Sequence, residues 1–346
     1  MTNWQEELRN SINTGEDLCR ELGCDPLETA AIAARYPLRI SPYYLELIKR
    51  AGEPLYRQAV PDIRELDDPQ GMIDPLGEEE LSPVPNLVHK YPDRALLLVS
   101  SRCAMYCRFC TRKRKVGRAS MRITEETIAA GLEYLRKTPS VREVLISGGD
   151  PLLLSDQRIE DILRRLRAIK HIEVIRIGTR TPCTLPMRIT PELVAMLRKY
   201  HPLYINTHFN HPAEITPEAA HACALLADAG IPLGCQTVLL RGVNDSLEVI
   251  QELMCALLRI RVRPYYLMQA DLTRGTGHFR TGIQTGLEIM RGMIGTVSGM
   301  AVPTYVLDAP GGKGKVPLTP DYIVSLGDDM LEFVNYQGLP CSYSLL

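Results

Sequence analysis

The chain has 346 residues, 45% of them hydrophobic, with a formal net charge of −1. That length can bury a large core, and the near-neutral balance gives no reason to expect a nucleic-acid partner or a membrane surface. No apolar run approaches the roughly 18 residues that span a bilayer, and the acidic, amphipathic opening from Met1 to Leu8 lacks the regions of a signal peptide, so a cytoplasmic protein is expected.

Residues 1–92 read as an N-terminal helical, wrapping region. Its connectors are rich in proline and acid, above all from Pro61 to Pro85, where Gly77-Glu78-Glu79-Glu80 and Ser82-Pro83-Val84-Pro85 carry loop chemistry. From 93 to 308 strand-length apolar runs alternate with helical patterns. The runs are Ala95–Val99, Val144–Ile146, Val174–Ile177, Leu203–Ile205, Leu233–Leu240, Pro264–Met268 and Val302–Leu307. Thr190-Pro191-Glu192 and Thr216-Pro217-Glu218 each supply an N-cap, a first-turn proline and an acid at the positive helix end. Gly230 supplies a C-cap. Successive strand–helix units with right-handed crossovers predict an α/β fold with a parallel sheet, a partial (β/α)6-type barrel with fewer than eight units. Residues 309–346 form a short C-terminal tail that begins with a lysine-bearing glycine-rich loop.

A parallel barrel places its chemistry at the carboxyl ends of its strands, and the unusual residues fall there. After the first run come Cys103, Cys107 and Cys110, three thiols within eight residues. That set can hold three irons of a 4Fe–4S cluster and leave the fourth iron open. The competing readings are a partial zinc site or incidental thiols, but no CxxC partner or HxxxH pair lies nearby to complete four zinc ligands. After the second run, Gly148 and Gly149 free the backbone to approach a ligand, and Asp150 offers a carboxylate for an ammonium group. An ordinary turn reads the same way. After the fourth run, His208 and His211 sit in a polar cluster, as pocket edge or as backbone-bonded histidines. After the last run, Asp308 leads into a glycine-rich loop with Lys313 and Lys315, suited to a phosphate or to an imine-forming amine, or else merely flexible. The run Arg112 to Lys115 is a candidate anion receptor or a solvated basic patch. Cys19, Cys24, Cys183, Cys223, Cys235, Cys255 and Cys341 read mostly as buried small apolar residues, not as a disulfide framework.

From Asn86 to Tyr336 the chain resembles the lysine 2,3-aminomutases, radical S-adenosylmethionine (SAM) enzymes that also require pyridoxal 5′-phosphate (PLP). The resemblance is carried by His-Lys-Tyr-Pro-Asp-Arg (89–94), Cys-Ala-Met-Tyr-Cys-Arg-Phe-Cys-Thr-Arg (103–112), Ser-Gly-Gly-Asp-Pro (147–151) and Arg-Ile-Gly-Thr-Arg-Thr-Pro (176–182). Ile-Asn-Thr-His-Phe-Asn-His-Pro (205–212), Leu-Leu-Arg-Gly-Val-Asn-Asp (239–245), His-Phe-Arg-Thr (278–281) and Asp-Ala-Pro-Gly-Gly (308–312) extend it. The cysteine motif alone marks the superfamily; the aspartate–glycine loop with its lysine narrows the match.

The resemblance implies a role for each position. Cys103, Cys107 and Cys110 would ligate the 4Fe–4S cluster. Gly148, Gly149, Asp150, His208 and Gln236 would bind SAM. Lys315 would be the catalytic lysine in an imine with PLP, with Lys313 as the fallback, while Lys90, Tyr91 and Arg94 would hold the cofactor. Lys90 replaces a common arginine and so loses the bidentate fork. Arg112 would take the substrate α-carboxylate, and Asp271 with Asp308 its distal ammonium. The activity implied is 2,3-amino migration between L-lysine and L-β-lysine, an isomerisation started by a SAM-derived radical that removes a β-hydrogen. A flavodoxin or ferredoxin would supply the electron, and no nucleic acid or membrane partner is expected. A sister enzyme acting on arginine, or one supplying β-lysine for translation-factor modification, is the near alternative; a non-catalytic iron–sulfur protein is the distant one. Larger family members carry an intersubunit zinc at a cysteine after the Val-Asn-Asp turn and near a longer tail. Here Ser246 follows that turn and the chain ends soon after Cys341, so any homo-oligomer is expected to lack that zinc.

Overall fold

The computed structural model describes residues 3–345; the outermost residues of the expected first and third segments, Met1, Thr2 and Leu346, lie outside the described residues. Helices Trp4–Arg9, Gly15–Leu22, Pro26–Arg35, Pro42–Ala51 and Glu53–Ala59 open the chain. Asn3, Thr14, Asp25 and Ser41 cap the first four by accepting first-turn N–H groups. Leu18, Ile32, Tyr44, Leu47, Ile48 and Leu55 are buried on their inner faces. The segment after Val60 is turns and one 3-10 turn, Ile63–Glu65, as its proline and acid content predicts.

Nine strands then form one sheet in chain order: β1 (Leu87–Tyr91), β2 (Arg94–Ser100), β3 (Glu143–Gly148), β4 (Val174–Gly178), β5 (Leu203–Thr207), β6 (Leu233–Leu239), β7 (Arg263–Gln269), β8 (Thr304–Ala309) and β9 (Gly314–Pro317). Strands β2 to β8 are parallel, and β1 and β9 close the two edges antiparallel. Helices Glu125–Lys137, Asp156–Arg167, Pro191–Leu197, Pro217–Asp228, Leu247–Arg259 and Ile283–Met293 follow β2 to β7 in turn, giving six βα units and a seventh parallel strand. Alternate strand residues, such as Ile175 and Ile177 in β4 or Leu233, Cys235 and Leu239 in β6, join the main apolar core. Their neighbours Arg176, Gln236 and Val238 are only half-buried on the other face. The N-caps at Thr190 and Thr216 form as expected, and Gly230 adopts φ 76°.

Two expectations need correction. The tail, for which no strands were expected, carries four: β9 joins the main sheet, and β10 (Ile323–Leu326), β11 (Met330–Val334) and β12 (Pro340–Ser344) form a separate antiparallel meander. Its apolar residues are largely exposed, Val324, Leu326 and Tyr343 among them, so no buried run announced it. Cys19 and Cys24, expected as unpaired apolar residues, form a disulfide with Cα atoms 4.5 Å apart. The left-handed C-cap at Gly23 reverses the chain between them, bringing together residues that a helical reading keeps separate. Cys255 and Cys341 are half-buried rather than buried.

Candidate active site

The three-cysteine loop leaves the carboxyl end of β2 and is pinned from several sides. Backbone bonds run from Tyr106 to Arg39, from Arg108 to Gln58 and from Gly117 to Ser101. Beneath it, Glu65 accepts from Arg108 Nε at 2.8 Å and pairs with Lys113 at 2.7 Å, all three side chains nearly inaccessible. Burial lowers Lys113 to about 8. Such a buried triad adds little net stability, but removing one member strands the others and costs about 3–5 kcal/mol. It fixes the loop to the helical region.

Cys103 is driven well above the ordinary thiol range, first by burial and then by the negative charge of Asp150, Cys110 and Cys107, and Cys110 is pushed up to about 11 by burial and by Cys107. The three thiols therefore share one electrostatic site. Among the described residues no three Cys, His, Asp or Glu side chains converge on a single metal ion. A cubane makes no such demand, since its thiolates bind three separate irons. The surroundings fit it. Arg180, just after β4, donates from Nη1 to Cys107 Sγ at 2.9 Å and from Nη2 to Gln58 at 2.6 Å and Glu214 at 2.8 Å. Its Nε–H is buried without a partner, an orphan donor beside the thiols.

The opposite corner is built on the β8–β9 pair. Asp308 and Lys315 are direct cross-strand partners, so their side chains share a face and Lys315 Nζ bonds to Asp308 Oδ2. Asp308 also receives Lys90 Nζ from β1 at 3.1 Å. Tyr91 Oη accepts from Lys315 N at 3.0 Å, and Arg94 stacks 4.0 Å from the Tyr91 ring. Lys90, Tyr91, Arg94 and Lys315 are thus gathered together, whereas Lys313 is exposed. An amine, two further cations and a phenol in a glycine-lined corner are a donor set that suits PLP. Burial pushes Asp308 up, but the Lys315 and Lys90 charges outweigh it and leave its carboxyl below the usual range. Asp271, after β7, is raised to about 7 by burial and by Asp308, against the opposing pull of Lys315 and Lys90.

Arg112 lies between these corners. Its Nε and Nη2 edge is taken by Glu78, at 2.9 and 2.6 Å to Oε1, leaving the terminal Nη1/Nη2 fork, whose Nη1 reaches Gly148 O at 3.5 Å. Glu78 comes from the acidic connector, which is tied to the glycine loop by Gly311 N to Pro75 O at 2.8 Å.

The remaining expected SAM residues are placed differently from one another. Gly148 and Gly149 serve first a close approach of chains: a Cβ on either would lie 2.2 Å from Ser100 O or 2.4 Å from Arg102 O. Asp150 does not face an open space. Its carboxylate accepts from Leu152 N, Thr179 Oγ1 and Arg180 N at 2.7 to 3.0 Å, which orients the Arg180 turn. His208 is lowered to about 3, by burial and by Arg180, and pairs with Asn210 Oδ1. Gln236 is half-buried on the face of β6 away from the apolar core. Sequence reasoning assigned no role to Arg180 or Glu78. A charged residue directly after a barrel strand was the available signal for Arg180; Glu78 was hidden among three consecutive glutamates.

A partial parallel barrel with a three-thiol loop after its first parallel strand is the architecture of a radical SAM enzyme, and the model of the radical SAM superfamily matches residues 97–254. A second model, "Lysine-2,3-aminomutase", matches residues 290–345. L-lysine 2,3-aminomutase from Clostridium subterminale is 50% identical over 99% of this chain and 83% of its own length. The Fusobacterium nucleatum enzyme of the same name is 49% identical over 99% and 82%. A glutamate 2,3-aminomutase from Clostridioides difficile is 43% identical over 97% and 81%. The chain belongs to the lysine 2,3-aminomutase family of radical SAM enzymes. Among solved structures, a radical SAM methyltransferase from Sphaerobacter thermophilus aligns at TM-score 0.44 and 18% identity over 66% of this chain and 72% of its own.

Proposed function

We propose that this protein interconverts L-lysine and L-β-lysine by 2,3-amino migration. The observation that supports the substrate is the electrostatic coupling of Asp271 to Asp308, beside the Lys315 and Lys90 ammonium groups. Asp308 already accepts both Lys90 and Lys315, and Asp271 needs further positive charge to stay ionised near neutrality. The ε-ammonium of lysine supplies that charge. The side-chain carboxylate of glutamate would add a like charge to two acids in a partly desolvated corner. When bound, the cluster with SAM supplies a carbon radical, and PLP supplies a ring that stabilises the migrating nitrogen.

The chain's own part is binding, orientation and exclusion of water. Cys103, Cys107 and Cys110 would hold the cluster, with Arg180 against Cys107. The Gly148–Gly149 backbone, His208 and Gln236 would flank SAM, while Asp150 acts through the Arg180 turn. The Lys315 amine would carry PLP, with Lys90, Tyr91 and Arg94 around it. The terminal Nη1/Nη2 edge of Arg112 would receive the α-carboxylate, so the substrate is fixed at both ends and its β-carbon is held in place. A flavodoxin- or ferredoxin-like protein would deliver the electron. The reducing conditions such a cluster requires support a cytoplasmic location. No helix among the described residues is long and apolar enough to cross a membrane. A second copy of the chain, without an intersubunit zinc, would cover the exposed apolar residues of the β10–β12 sheet. The division at about residues 92 and 308 belongs to the same proposal, with the barrel as one unit and the tail carrying the lysine loop.

The test is an anaerobic competition among L-lysine, L-arginine and L-glutamate, with the reconstituted, reduced enzyme. Products are resolved by mass spectrometry. β-Lysine as the dominant product supports the reading; β-arginine or β-glutamate in its place removes lysine as the substrate.

A further inference from the structure

Against the cysteine loop lies a cleft of about 370 Å³ lined by Ser101, Arg102, Tyr106, Arg118, Met121 and Arg122, among others. Three arginines converge on it, and none makes an ion pair among the described residues. Arg102 and Arg122 are exposed, and the Nε–H of Arg118 is buried without a partner. The nearby acids do not cancel them. Glu125 is committed to Arg158 and Arg165, and Glu79 to Lys115 and Arg114. Glu126, at the start of the next helix, is exposed and hydrogen-bonded to Thr124. Arg39 adds a fourth positive charge near Tyr106. On a chain of net charge −1, this is a local positive field.

The cleft also lies against the cluster ligands. Arg102 precedes Cys103, and Tyr106 lies between Cys103 and Cys107 in the chain. Met121 and Val116 are buried with Cys103, Tyr106 and Cys110 packed against them. One layer of side chains therefore separates solvent in the cleft from the thiols. Arg112, further along the same loop, reaches Gly148 O, beside the space that substrate and cofactors need, whereas neither Arg112 nor Gly148 lines the cleft.

We infer that the Arg102–Arg118–Arg122 cleft is the docking site of an acidic electron-donor protein that reduces the cluster. This rests on the radical SAM reading above. One electron leaves the reduced donor and one is gained by the cluster, with no proton or group transferred. The arginines steer and orient the donor, an effect that salt weakens, and Tyr106 and Met121 form the contact nearest the thiols.

The probe is an acidic flavodoxin, and the first readout is its binding, in the oxidised form, to the full-length cluster-loaded protein by calorimetry at low salt. Arg118→Gln/Arg122→Gln is expected to raise Kd about tenfold and to flatten its salt dependence. The pair Arg198→Gln/Arg259→Gln serves as control. Both of its residues are exposed and lead into β5 and β7 at the opposite end of the barrel, and the Kd should not change. The second readout is cluster reduction followed by electron paramagnetic resonance. Flavodoxin-driven reduction should slow in the double variant, while dithionite-driven reduction keeps its wild-type rate. Should the double variant misfold, the exposed Arg122→Gln alone is expected to raise Kd about threefold. A Kd within twofold of wild type in the well-folded variant, or an equal loss in the control pair, overturns the inference. Wild-type protein that holds its cluster but turns over no amino acid with dithionite would instead count against the proposed function.

Discussion

Arg180 Nη1 lies 2.9 Å from Cys107 Sγ, so a permanent cation faces one of the three thiols proposed to hold the cluster. It is held there by Gln58 and Glu214, and the turn that carries it is tied down by Asp150. Hydrogen bonds to cluster sulfurs and nearby positive charge both favour the more negatively charged, reduced state.

Replacing the pair together, Arg180→Met with Glu214→Gln, avoids leaving a buried carboxylate alone. At fixed potential the reduced-to-oxidised ratio of the bound cluster should fall about tenfold, or ~59 mV for one electron, read by redox titration with electron paramagnetic resonance. A potential unchanged in protein of full iron content would assign Arg180 a purely structural role.

Glu78 binds the Nε/Nη2 edge of Arg112 and leaves the terminal Nη1/Nη2 edge with one long contact, from Nη1 to Gly148 O at 3.5 Å. It therefore orients the guanidinium rather than blocking it. Glu78→Gln should raise KM for lysine about 10- to 100-fold, the worth of a charged hydrogen bond of ~1.5–3 kcal/mol, with KM for SAM unchanged. A lower KM for lysine would mean that Glu78 competes with the substrate carboxylate.

The pH dependence follows from Asp271. Burial and Asp308 raise its pKa to about 7, and a cationic side chain binds to the ionised form. Below pH 7 the free enzyme must release a proton to take up lysine, so log kcat/KM should fall with unit slope as pH drops. Above pH 7 this group imposes no further change. Asp271→Asn should remove the break and lower kcat/KM throughout.

Gly149→Ala places a methyl 2.4 Å from Arg102 O, whereas a methyl at Gly178 finds its nearest neighbour at 3.6 Å. Overpacking against backbone costs about 1–3 kcal/mol, here where β3 meets the base of the cysteine loop. Iron bound per chain after reconstitution should drop at least twofold in Gly149→Ala and stay at the wild-type level in Gly178→Ala. Equal iron in both would show that the loop does not depend on this contact.

Much of this was legible in the sequence because its signals are local. Apolar runs such as Ala95–Val99 mark buried parallel strands, and threonine–proline pairs mark helix starts. The candidate site rests on residues close in the chain: the three cysteines, and Asp308 with Lys315, which a tight turn makes cross-strand partners. What was hidden depends on distance. Glu78 meets Arg112 across 34 residues and Arg180 meets Cys107 across 73, and neither pairing has a local pattern. The bonds of Asp150 to Thr179 and Arg180, 29 and 30 residues away, have no local pattern either. The β10–β12 meander was missed because its apolar residues stay exposed, and alternation is informative only when one face is buried.

The most direct test of the central claim follows the nitrogen itself. Reconstituted, reduced enzyme would be given L-lysine labelled with 15N at the α-amine and watched by 15N NMR. The account predicts label on the β-carbon of β-lysine in wild type, and none in Lys315→Ala or Cys107→Ala. Label that never leaves the α-carbon in wild-type enzyme that holds its cluster and PLP, or migration that persists in Lys315→Ala, would contradict it.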